Sequence, residues 1–211
     1  DILNMRIILV ILFVYAISSC SFDKSVKVEW VDNLQEDFSF ADKWSYAENV
    51  FKNNFAQLVC DAICDPRLDA MRDKDGRIIE DSISLYYQLL DTTHYYHSHT
   101  GEASCYEWVG TDFAHAKKVG DTVFCYTECN VATHSSLQLK ILKDKCFAQI
   151  VLNSITNTGN AVFTCKGGYI KIDKSSWNKG ILKTEFNLDF IDSDNVDIPM
   201  WWQGRILTKI E

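Results

Sequence analysis

The sequence has no apolar run long enough to cross a membrane as a helix. The longest, residues 7–17, is eleven residues, against the roughly 20 that span a hydrocarbon core. There is no excess of positive charge: 21 Lys and Arg against 29 Asp and Glu give a net charge of -8. Affinity for phosphate backbones comes from Lys and Arg displacing counterions, so this balance argues against a nucleic-acid partner. Cys-x2-Cys pairs are missing, and both close pairs, Cys60/Cys64 and Cys125/Cys129, have three residues between them. That spacing does not suit structural zinc. A Gly-x-Ser-x-Gly elbow, a glycine-rich phosphate loop and a His-Glu-x-x-His pair are also absent, which removes the short signatures of several hydrolase and nucleotide-binding classes. No internal repeat or low-complexity segment is found, and no cofactor is indicated.

What is present begins with an address. Met5, the expected start of translation, is followed by Arg6, the apolar run 7–17, and Ser18-Ser19-Cys20. A basic residue, a short apolar core and small residues in that order read as a secretory signal rather than a transmembrane helix. Ile17-Ser18-Ser19-Cys20 resembles the lipobox of bacterial lipoproteins, in which an aliphatic residue and two small ones precede a Cys that is diacylated and left first after cleavage. The resemblance covers the leader alone. It implies that residues 1–19 are a signal peptide and that Cys20 is lipidated, its two acyl chains holding the chain stably at a membrane surface. Ser21, in place of Asp after the Cys, resembles outer-membrane sorting. The expected location is therefore a bacterial envelope membrane, the outer one, facing periplasm or cell surface. The alternative is a conventional signal cut near Ser19, with Cys20 a half-cystine.

The mature part fits one domain. Removing residues 1–19 from 211 leaves 192, within the range of about 100 to 250 residues that one domain usually occupies. At 47% hydrophobic and 24% charged the chain is able to bury a core. Residues 20–35 are unpatterned and read as a tether, leaving 36–211 as a single globular domain. Of eight Cys, lipidation of Cys20 leaves seven, so at least one stays unpaired. Disulfides are the first expectation in an exported protein, with scattered buried thiols the alternative. Cys125 and Cys129 on one strand would lie roughly 13 Å apart, beyond disulfide reach.

Residues 42–63 place Trp44, Ala47, Phe51, Phe55, Leu58 and Ala62 at spacings of three and four, which predicts an amphipathic helix, with Asp42 as its cap and Pro66 beyond its end. The run Asp73-Lys74-Asp75-Gly76 has the core of a calcium loop but lacks carboxylates at its first and last positions, so a tight polar turn is expected. Short β-rich runs then recur at 105–109, 122–127, 137–142, 147–152, 161–165, 169–172, 181–191 and 201–210, with turn-forming residues between them. In residues 182–190, Leu182, Thr184, Phe186, Leu188 and Phe190 alternate with polar residues, as in a half-buried strand. The fold class expected is α+β or mainly β: an N-terminal amphipathic helix followed by an antiparallel β sandwich or barrel of about eight strands.

Two places carry chemistry. His94, His97 and His99 are three of the five His; in an extended segment His97 and His99 point the same way and are candidate ligands of one metal ion. Trp201 and Trp202 are adjacent, so one faces the core and the other faces out beside Gln203 and Arg205, a candidate stacking platform for a sugar or another flat ligand. The leading functional expectation is a noncatalytic binding or accessory lipoprotein of the envelope, its partner a glycan or another envelope protein. The alternative is an envelope hydrolase or metal-handling protein that uses the histidine segment.

Overall fold

The computed structural model describes residues 24–46, 50–52, 58–60, 65–90, 92–129, 133–155 and 159–211. Residues 1–19, expected to be a signal peptide, and Cys20 lie outside them. In chain order the strands are β1 (Ser25–Val31), β2 (Trp44–Tyr46), β3 (Val50–Lys52), β4 (Leu58–Cys60), β5 (His94–Tyr96), β6 (His99–Ser104), β7 (Phe113–Val119), β8 (Thr122–Glu128), β9 (Ser135–Ile141), β10 (Lys145–Asn153), β11 (Asn160–Asp173), β12 (Ile181–Ile191) and β13 (Met200–Lys209). Three short helices accompany them: α1 (Pro66–Asp69), α2 (Ile83–Leu89) and α3 (Lys174–Trp177).

Nine strands make one mixed sheet in the order β6-β13-β12-β11-β1-β10-β9-β8-β7, rolled until it nearly closes. The ends meet where the N–H groups of Ser98 and His99 both donate to the Asp112 carbonyl, at 2.9 and 3.0 Å, and where Glu211 N–H donates to Ala116 O at 2.9 Å. Pairing across this seam reduces the open edge that an unrolled sheet would expose. Alternation decides which side chains point inward. On β12, Leu182, Thr184, Phe186, Leu188 and Phe190 are all buried, as the sequence pattern predicts, while Lys183, Glu185 and Asn187 face outward. Trp202 and Ile206 of β13, Ile170 and Ile172 of β11, and Leu137, Leu139 and Ile141 of β9 fill the same interior.

The mixed character comes from one strand. Residues 149–153 of β10 pair antiparallel with 160–164 of β11, after which the two strands part. β1 fills the gap, antiparallel to β10 at residues 25–27 and parallel to β11 at residues 28–31. Its buried Val26 and Val28 alternate with exposed Lys27 and Glu29. Residues 25–31, read from the sequence as part of a tether, are therefore wall. A half-buried strand of seven residues carries only two core side chains, too weak a period to stand out from unpatterned sequence.

The expected helix over 42–63 is also corrected. Its described residues form β2, β3 and β4, with a 3-10 turn at Ser39–Asp42 before them. Trp44, Tyr46, Val50, Phe51 and Val59 are residues that favour strands, and β5 pairs with β2 from 50 residues downstream, a partner that helical spacing cannot reveal. Pro66 opens a helix instead of ending one: it is the first residue of α1, with Asp65 Oδ1 accepting from Arg67 N–H at 2.8 Å. Tyr46, Leu68, Tyr86 and Leu90 bury one another in a second, smaller apolar cluster. The polar turn at 73–76 forms as expected, with the Asp73 carboxylate accepting from Asp75 and Arg77 N–H. Gly167-Gly168 continues β11 rather than making a turn, just after a register shift between Cys165 and Gly167, and residues 105–109 form no strand.

Candidate functional site

The outer face of β11, β12, β13 and β6 carries two rows of polar side chains set by register. One row reads Tyr169, Asn187, Gln203 and Glu102; the next reads Lys171, Glu185, Arg205 and Thr100. With strands about 4.8 Å apart and same-face rows about 7 Å apart, these side chains tile one continuous surface. A groove of about 330 Å³ opens over them, bounded on one side by Glu36 from the loop after β1. Tyr169 presents a ring 39% exposed. Its hydroxyl donates to Glu185 Oε1 at 2.7 Å, and that bond, with burial and the Glu185 charge, pushes the phenol up to about 12. Glu185 Oε2 is buried with no hydrogen-bond partner among the described residues, the Lys171 ammonium standing 3.6 Å away. Gln203 donates to Glu102 at 3.2 Å, and Arg205 donates to the Asp37 carbonyl.

Trp201 and Trp202 divide as the alternation requires. Trp202 is fully buried, while Trp201 is half-buried in the row beyond Gln203, between Ser104 and Asp189. The histidines are not gathered. His94 stacks on Trp44 at 3.6 Å between ring centres. His99 is 1% exposed; its Nδ1 bonds the Thr111 carbonyl at 2.6 Å, while Nε2 is buried without a partner among the described residues. Gly101 and Gly204 make room for that ring, since a Cβ on either would stand 3.1 or 3.2 Å from it. Burial lowers the His99 pKa to about 4, the Thr111 bond acting against it, so the ring is neutral. His97 turns elsewhere: its Nε2 is 2.9 Å from Ser45 Oγ, and its Nδ1 is 3.8 Å from Asp112 Oδ1. Among the described residues no three His, Cys, Asp or Glu side chains surround a common point suited to a metal ion.

The five cysteines with described side chains, Cys105, Cys125, Cys129, Cys146 and Cys165, are free thiols. Burial raises Cys105 to about 11 and Cys125 to about 12, and Cys146 rises as well, first through burial. Thiols held protonated in a core are poor nucleophiles.

The sequence singled out Gln203 and Arg205 for this surface and Glu102 only as an available third metal ligand, but gave Tyr169, Asn187 and Glu185 no site role. The outward face of β12 was legible in the alternation; the register that sets it beside Tyr169 and Gln203 was not. Ser45 was missed too, because its partner lies 52 residues away. No family model, no curated protein and no solved structure matches the chain.

Proposed function

We propose that this chain is a lipid-anchored binding protein of a bacterial envelope, and that the groove over β11, β12, β13 and β6 takes a neutral polyhydroxylated ligand of the glycan class. The observation that carries the reading is the double row of planar polar groups, in which the amides of Asn187 and Gln203 and the guanidinium of Arg205 lie among the Glu102 and Glu185 carboxylates beside the exposed Tyr169 ring. Sugars offer hydroxyl donors and acceptors around an apolar ring face, which such a surface matches by hydrogen bonding and stacking. Three carboxylates, Glu36, Glu102 and Glu185, border the groove with Arg205, a balance that disfavours phosphorylated or otherwise anionic ligands. Anchorage rests on Ile17-Ser18-Ser19-Cys20 alone.

Anchorage has a direct test. In a bacterial host the full chain should carry a diacylglyceryl mass on Cys20 and enter the detergent phase of a Triton X-114 partition, whereas Cys20→Ser should remain aqueous. Equal partition of both, with no lipid mass on Cys20, would rule the anchor out.

A further inference from the structure

Ser45 sits in the middle of β2, paired with Tyr95 of β5. Its neighbours Trp44 and Tyr46 point to the opposite side, Trp44 against His94 and Tyr46 into the smaller apolar cluster. Ser45 is thereby left facing His97, whose Nε2 lies 2.9 Å from its Oγ. The ring is positioned from several directions. The His97 backbone N–H donates to the Lys43 carbonyl at 2.9 Å, which fixes the ring's base, and Phe113 packs edge-on to the ring at 5.5 Å between ring centres. The second ring nitrogen, Nδ1, faces Asp112 Oδ1 at 3.8 Å. The Asp112 backbone is fixed in the barrel seam, its carbonyl accepting from Ser98 and His99 and its N–H donating to Glu128. Hydroxyl on one imidazole nitrogen and carboxylate on the other is the order of groups in a nucleophile, base and carboxylate relay. In substrate-free enzymes such contacts are often longer than a hydrogen bond, as the Asp112 contact is here.

We infer that Ser45, His97 and Asp112 form a second, hydrolytic site, with Ser45 as nucleophile, His97 as general base and Asp112 as positioning residue, acting on a carboxylic ester that carries an apolar group beside the carbonyl. The exposed ring of Tyr95, directly across from Ser45, supplies the apolar wall. Ser45 Oγ adds to the ester carbonyl carbon and its proton passes to His97 Nε2. The ester C–O bond then breaks, and the alcohol leaves with that proton. Water attacks the acyl-Ser45 carbonyl, His97 accepts its proton, and the carboxylic acid departs as Ser45 Oγ is reprotonated. Burial lowers the His97 pKa, with Lys43 adding to that and Asp112 opposing it, so the ring is in its base form at neutral pH. Among the described residues, these are the charged groups whose fields reach the ring. The site shares no residue with the groove, so saccharide binding and acylation at Ser45 stand or fail separately.

The test is active-site labelling of the full chain with a fluorescent fluorophosphonate, read by peptide mass spectrometry, beside hydrolysis of p-nitrophenyl butyrate. One phosphonyl group per chain on Ser45 is expected. Ser45→Ala should abolish it, and His97→Gln should slow both labelling and hydrolysis by about 100-fold or more. Asp112→Asn should move the midpoint of the pH–rate profile to lower pH, because the carboxylate that favours imidazolium is gone, a shift that a purely structural role would not produce. Near-ultraviolet circular dichroism of each variant checks that the fold persists. Labelling at another residue, or no labelling of folded protein, overturns the assignment, as does hydrolysis that survives Ser45→Ala.

Discussion

His99 shows how one side chain ties the barrel to pH. Its ring is packed near Phe186 and Trp202, 6.2 and 6.3 Å between centres, and is held in one tautomer by Thr111. Its folded pKa of about 4 lies below the ordinary 6.5, so protonation favours the unfolded chain. The resulting stability is complete above pH 6.5 and is lost as pH falls through 4, about 3 kcal/mol over that window. Urea unfolding at pH 7.5 and pH 4 should therefore show a larger loss in the native chain than in His99→Asn, which retains a donor toward Thr111. The variant starts out less stable through lost packing, but its pH dependence should be flatter. An unchanged pH slope in the variant would show that His99 is not the linked group. The sequence marked His99 as a possible ligand because alternation gives side chain direction within a strand. Alternation does not tell which side is the inside, and that was settled by Gly101 and Gly204 on neighbouring strands.

At the scale of elements, β1 bears most on how the wall holds together. It occupies the gap between the diverging ends of β10 and β11, pairing with both. Without it, each would present unpaired N–H and C=O groups, and Val26 and Val28 would leave the core. A chain starting at residue 36, the boundary that the sequence pattern suggests, should lack a cooperative urea transition, whereas one starting at residue 24 should keep it. Equal stability of the two would mean that β1 is an accessory strand. The long strands were legible where alternation was sustained: residues 181–191 were expected and β12 is Ile181–Ile191. Expectation failed where pairing partners are distant, as for β2 with β5, or where a glycine pair has two uses. Gly168 has φ 117, and a Cβ there would stand 2.2 Å from Asn187 O, so it serves the close approach of β11 to β12 rather than a chain reversal.

At the scale of the molecule, the interior holds three buried free thiols, Cys125, Cys146 and Cys165, packed among side chains of the barrel strands. The sequence supplied the two ends of this account, a segment that resembles a lipobox and a β-rich domain, together with the division of the Trp201-Trp202 pair between core and outer face, though not which of the two faces out. It could not supply the groove, which depends on the pairing registers of the consecutive strands β11, β12 and β13 and on β6 joining them from 101 residues away, so that Tyr169, Asn187, Gln203 and Glu102 fall in one row. A binding role for that row is the central claim, and the side-chain amides of Asn187 and Gln203 report on it directly. A uniformly ¹⁵N-labelled chain starting at residue 21 would be titrated with chitotetraose, cellotetraose and maltotetraose while amide spectra are recorded. Saturable shifts of the Asn187 and Gln203 side-chain amides with at least one of these sugars are expected, and Tyr169→Ala should weaken them roughly tenfold, a loss of about 1.4 kcal/mol. Spectra that do not change with any of the three, or shifts confined to residues away from the groove, would contradict the account.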